Sequence, residues 1–237
     1  MTTATWSEVA PGVGVYLFEY DVPSLGIGSN CVVFPTGDCT VGVLSPGLGT
    51  PPDLFDALEK LGRVTAIVAP NVGHDLGLRE WQARYPEVPF YASPTTAAAV
   101  AKAKKDLRPL RPLSELVPSL PAGVRLWESP GTSAGTVFLG VARGGHEVLY
   151  LDDLVANLAE LPRKQPFRFI FNITGSAPGM KLSKVFKFFF VKDAHAMARS
   201  VLDHAEAHPP TVLLFAHGAP MSGASLASLT ATLAPLG

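Results

Sequence analysis

Charge is scarce in this chain. Asp, Glu, Lys and Arg make up 16% of 237 residues and leave a formal net charge of −1. That excludes the broad basic surface on which nucleic-acid binding depends. Cysteine is scarcer still. Cys31 and Cys39 are the only two, and they flank "VVFPTGD", which reads as a hairpin turn. One disulfide across that turn and two buried free thiols both stay open, and a reducing compartment favours the thiols. No uninterrupted apolar run is long enough to cross a bilayer. The opening residues, "MTTATWSEVAPGVGVY", lack the basic-then-apolar order of a secretory leader, so the expectation is a cytoplasmic protein. A phosphate-binding P-loop, a glycine-rich dinucleotide fingerprint and a G-x-S-x-G elbow are also missing.

What the chain has is apolar mass and punctuation. Hydrophobic residues make up 47%, with 22 Gly and 22 Pro, so a sizeable core and many turns are expected. Val13 to Glu19, Cys31 to Phe34 and Thr40 to Leu44 are short, β-branched or aromatic, and bounded by turn residues; they predict antiparallel strands. Pro51 to Leu61 carries Leu54, Phe55, Leu58 and Leu61 at helical spacing, entered through prolines and left at Gly62. Strands follow at Val64 to Ala69 and Val88 to Ala92, with helices at Leu76 to Tyr85 and Thr95 to Lys105. After the proline-rich "RPLRPLSELVPSLPAG", strands recur at Val124 to Trp127, Thr136 to Ala142, Glu147 to Leu151 and Thr211 to Ala216, with a helix at Ala194 to Ala207. Strands grouped in each half, with helices after them, predict an α/β protein of two packed sheets covered by helices outside. The proline-rich stretch reads as a crossover, leaving one domain over residues 1–237.

Four polar clusters fall just after predicted strands: Asn71 to Asp75, Gly131 to Thr132, Asp152-Asp153, and His217-Gly218. Such strand ends are where α/β proteins place their chemistry. In order and spacing, "APNVGHD", "SPGTSAGTVFLG", "VLYLDDLVAN" and "LLFAHGAP" resemble the metallo-β-lactamase superfamily, whose motifs are H-x-H-x-D-H, "PGHTPGS", "GD" and "GHG". "SPGLGT" (Ser45 to Thr50) stands where that family has an Asp-x-Gly turn. The resemblance covers nearly the whole chain and implies a four-layer αββα sandwich. It also implies erosion. Asn71, Gly73 and Thr132 occupy three histidine positions and Leu76 a fourth, while Asp75, Asp153 and His217 match. "APNVGHDLGLREW" is similar to a branch of the superfamily in which the usual histidines are likewise missing.

Two functions follow from the resemblance. The first is a hydrolase with one divalent metal (zinc, manganese or iron) on Asp75, Asp153 and His217. That ion would activate a water against an ester, thioester, amide or phosphoester. Asp75 and His74 are then the catalytic candidates, His74 as a substrate-orienting or proton-shuttling group, with Asn71 and Thr132 supporting. The second is a catalytically silent descendant without metal, binding a small molecule or a protein partner. Read one at a time, Asp75 is also a helix N-cap and His217 a hydrogen-bonded loop residue. His204 and His208 read as a surface pair beside Pro209.

Gln165 to Asp193 stands apart. Phe167, Phe169 and Phe171 alternate with Arg168 and Ile170, which predicts a strand; Phe186 and Phe188 to Phe190 are interleaved with Lys184, Lys187 and Lys192. The segment is a core element with lysines reaching outward, or a basic-aromatic patch against a lipid, a membrane surface or a second copy. Core or subunit contact is the reading adopted.

Overall fold

The computed structural model describes residues 5–223 and 226–236. The first half builds a seven-stranded sheet in chain order: β1 (Ser7–Glu8), β2 (Tyr16–Val22), β3 (Ile27–Gly37), β4 (Thr40–Leu44), β5 (Arg63–Ala69), β6 (Phe90–Ala92) and β7 (Arg111–Pro112). β1 to β4 pair antiparallel through short turns. From β4 onward pairing is parallel, because α1 (Pro52–Leu61), α2 (Leu78–Arg84) and α3 (Pro94–Ala103) intervene as crossovers. A short helix, α4 (Leu113–Leu116), leads to the second half. There β8 (Val124–Glu128), β9 (Val137–Arg143) and β10 (His146–Tyr150) form a meander. A two-stranded ribbon of β11 (Val155–Leu158) and β12 (Gly179–Leu182) follows. Helices α5 (Phe167–Thr174), α6 (Lys184–Phe190) and α7 (Ala194–Ala207) precede β13 (Val212–Leu214), β14 (Met221–Ser222) and α8 (Leu226–Leu233). The second sheet runs β14-β13-β10-β9-β8, with β13 parallel to β10.

Three apolar layers explain the stacking. Between the sheets, Val32, Phe34, Leu44 and Val68 meet Leu139, Val141, Tyr150 and Leu214, all at most 1% exposed. Outside the first sheet, Leu54, Leu58, Trp81 and Val100 of the helices cover Val33, Val43 and Ile67. Outside the second, Met197, Val201, Phe186 and Leu229 cover Phe138, Leu149 and Leu213. The result is the expected αββα sandwich. Side chains cap two of the helices: Ser93 Oγ accepts from Thr96 N, and Asp193 Oδ1 accepts from Ala196 N at 2.9 Å. Among the described residues no helix is long and apolar enough to cross a membrane.

Three expectations change. Phe167 to Phe171 is not a strand but the start of α5, closed by Gly175 in the left-handed conformation. A five-residue alternation of bulky residues cannot distinguish period 2 from a helix, and tertiary contact decides. Both cysteines are free, but only Cys31 is buried; Cys39 is exposed in the β3–β4 turn. His204 is no surface residue. It stacks on Trp127 with ring centroids 4.2 Å apart, and burial, with Arg125 and His208, pushes its pKa down to about 4.

Candidate metal centre

The site begins where β5 ends. Pro70 stops the strand, and Asn71 Oδ1 accepts from Gly73 N at 2.6 Å, an Asx turn that reverses the chain in three residues. Consecutive side chains beyond this turn diverge. His74 points inward and is 4% exposed. Asp75 points away, its Oδ2 2.9 Å from Lys104 Nζ, which also donates to the Asp75 carbonyl at 2.6 Å. The expected grouping of Asp75 with Asp153 and His217 is therefore revised: the lysine closing α3 holds Asp75, and His74 takes its place. Nor does Asp75 cap a helix through its side chain, since α2 starts at Leu78 with Gly77 as N-cap. Gly77 has a steric duty instead. A Cβ there would collide with the carbonyls of Pro46 and Gly47, so only glycine lets the Ser45–Thr50 turn lie against this one.

Asp153 follows β10 and His217 follows β13, two strands paired in parallel, so both side chains emerge at one sheet end. His74 Nε2 lies 3.3 Å from Asp153 Oδ2, and His217 Nε2 lies 3.2 Å from Asp153 Oδ1. Each ring is held from behind. His217 Nδ1 donates to the Gly28 carbonyl at 2.7 Å, and His74 Nδ1 is 2.7 Å from Ser45 Oγ. Ser45 sits in the left-handed region at φ 58°, an unusual backbone for serine, and is fully buried. Asn71 Nδ2 donates to both Asp152 Oδ2 (2.8 Å) and Asp153 Oδ2 (2.9 Å), and Tyr150 Oη donates to Asp152 Oδ1 at 3.2 Å. Thr132 is not part of this network: its Oγ1 accepts from Ala134 N at 3.1 Å, closing its own turn. Sequence reasoning missed Ser45 as the partner of His74, although "SPGLGT" had marked the turn that carries it.

The electrostatics follow from burying two neighbouring carboxylates. Burial, with the charge of Asp153 adding, pushes the Asp152 carboxyl up to about 7. Burial would also raise Asp153, but His74 and His217 hold it well below the usual carboxylate range. Burial alone would lower His74; Asp153, helped by Asp152 and Asp75, overrides it and lifts the imidazole to about 9. With its Nδ1 donating to a carbonyl, a neutral His217 presents its Nε2 lone pair to a carboxylate oxygen. Two lone-pair groups facing each other need a cation or a proton between them.

The donor set fits a divalent cation. The ligating atoms of His74, Asp153 and His217 all lie within 4.8 Å of one another. Nitrogen and oxygen ligands bound at about 2.0–2.2 Å stand roughly 3–3.5 Å apart, and the two contacts to Asp153 fall in that range. Oxygen partners behind both rings are the usual support for metal-ligating histidines. Beside Asp153 and His217 lies a cavity of about 180 Å³, walled by Leu25, Ile27, Phe167, Phe171, Phe186 and Phe190.

No family model matches the chain, and no curated relative does. Solved structures do match over nearly its whole length. The DIM-1 metallo-β-lactamase is 12% identical with a TM-score of 0.61, covering 98% of this chain and 97% of its own. A metallo-β-lactamase from Erythrobacter litoralis, solved with β-mercaptoethanol in the active site, is 16% identical with a TM-score of 0.62, covering 97% and 96%. One from Pontibacter korlensis is 14% identical with a TM-score of 0.56, covering 97% and 98%. This chain has the metallo-β-lactamase fold.

Proposed function

We propose that the protein is a metal-dependent hydrolase with a reduced, single-cation site on His74, Asp153 and His217. One observation carries the reading: two imidazole Nε2 atoms face the two oxygens of one carboxylate, with each Nδ1 already engaged. Two imidazoles and a carboxylate suit zinc, manganese or iron(II). Such a cation supplies Lewis acidity, polarising a scissile carbonyl or phosphoryl and making water a competent nucleophile near neutral pH.

The chain's own residues do the rest. Ser45 and the Gly28 carbonyl fix both ring orientations, so the Nε2 atoms need no reorganisation. Asn71 ties Asp153 to Asp152 by donating to an oxygen of each, which fixes the rotation of both carboxylates. Burial and the charge of Asp153 hold Asp152 at the edge of ionisation against the hydrogen bonds of Asn71 and Tyr150, so it can keep a proton while Asp153 stays charged. The apolar walls exclude water and receive an ester, thioester, amide or phosphoester with an apolar substituent. Asn71, Gly73, Leu76 and Thr132 stand where the resemblance expects histidines, which supports one cation over two.

The loss of those four ligands, with Asp75 neutralised by Lys104, also favours a second reading, a silent binding protein. Metal analysis after purification without chelator, paired with hydrolysis of p-nitrophenyl esters and bis-p-nitrophenyl phosphate, separates the two. The hydrolase reading expects one equivalent of metal and turnover, both absent in Asp153→Asn. A metal-free, inactive parent that gains nothing from added zinc, manganese or iron overturns it.

A further inference from the structure

Between Leu161 and Lys192 the chain holds seven Lys and Arg and no Asp or Glu, while the other twelve Lys and Arg are spread among all twenty Asp and Glu. A chain that is nearly neutral as a whole is thus strongly polarised. The same segment carries four of the large hydrophobic side chains most exposed to solvent: Phe188 at 78%, Ile173 at 63%, Phe189 at 61% and Phe169 at 58%. Phe169 and Ile173 are four residues apart on α5, hence on one face. Phe188 and Phe189 stack edge to face on α6, with centroids 5.1 Å apart, and α5 packs against α6. Around them Lys164, Arg168, Lys181, Lys184 and Lys192 are exposed, and none is in an ion pair among the described residues. The core reading of this segment holds only for its inner side, where Phe186 is buried and Phe167, Phe171 and Phe190 line the cavity.

From this we infer that α5, α6 and β12 form a docking surface for an anionic lipid bilayer, with the four apolar side chains entering the headgroup region and the lysines meeting lipid phosphates and carboxylates. Charge decides between occupants. A symmetric dimer through this face would set each positive patch against its own copy. An acidic lipid surface attracts it, and aromatic side chains with cations beside them are what an interfacial element presents. The inner faces of the same two helices wall the cavity beside Asp153 and His217, so docking places one layer of helix between the lipid and that cavity.

The test is co-sedimentation of the full chain with vesicles of phosphatidylcholine alone and of phosphatidylcholine mixed with phosphatidylserine. It uses no substrate and is independent of the hydrolase reading. Binding is expected to the mixed vesicles only, weakening as salt is added. Lys181→Gln with Lys184→Gln should reduce partitioning about 25-fold, some five-fold for each cation near the surface. Phe188→Ser with Phe189→Ser should drop binding to the level of phosphatidylcholine alone with an unchanged melting temperature. If that pair fails to fold, the lysine pair decides. No binding of the parent, equal binding to both vesicle types, or variants that bind like the parent would overturn the inference. So would light scattering that finds a dimer abolished by Phe188→Ser with Phe189→Ser, which would assign the face to a second copy.

Discussion

Cation affinity at the His74–Asp153–His217 centre should depend on pH far above the range of an ordinary histidine. His74 is 4% exposed and faces Asp153, with Asp152 and Asp75 adding their charges, and these together lift its pKa to about 9. A cation needs the neutral ring, so the proton competes for the same Nε2 lone pair. Each unit of pH below about 9 then weakens binding about tenfold. At about pH 7.5 the loss is about thirty-fold, or about 2 kcal/mol. Titration calorimetry of chelator-stripped protein with manganese or zinc, from about pH 6.5 to pH 9.5, reads this directly. In two buffers of different ionisation enthalpy, it should also report about one proton released per ion at the lower pH values. His74→Gln should bind weakly and lose the slope. An affinity that stops rising near pH 6.5–7, as free imidazole would dictate, removes His74 from the ligand set.

In EDTA the same groups make stability pH-dependent. His74 has a folded pKa above its unfolded one, so its contribution is complete below about pH 6.5 and is lost as pH rises through about 9, roughly 3 kcal/mol in all. Asp152, raised to about 7, acts in the same direction at lower pH, whereas Asp153's contribution is lost only in strong acid. Urea melts that stay level or strengthen between pH 6.5 and 9 contradict this. Asp75→Asn should change cation affinity by well under tenfold, since its charge is the least of those lifting His74, and cost at most about 1 kcal/mol, the value of its pair with Lys104; a tenfold loss of affinity would put Asp75 back at the centre. Asn71→Ala strips the donor shared by two buried carboxylates and should cost about 2–3 kcal/mol in thermal or urea melts. A loss below about 0.5 kcal/mol would mean that water replaces the amide.

Much of this molecule is legible from local pattern. The apolar runs ending at Ala69, Leu151 and Ala216, each followed by a polar turn, mark the ends of β5, β10 and β13 to within two residues. Parallel pairing of β10 with β13 then brings the residues after them to one edge, which is why Asp153 and His217 meet as the motif order implied. What local pattern did not carry was direction. Whether His74 or Asp75 enters the site depends on one Asx hydrogen bond and on Lys104, 29 residues away, and adjacent side chains in a turn have no period to read. Ser45 becomes the partner of His74 because Trp81 Nε1 donates to the Gly47 carbonyl and Gly77 lets the two turns touch. The phenylalanines of α5 and α6 were equally bulky on paper. Only the neighbours supplied by the folded chain decide which of them wall the cavity and which four apolar side chains face solvent, since burial is a property of surfaces in contact and not of the residue that carries them.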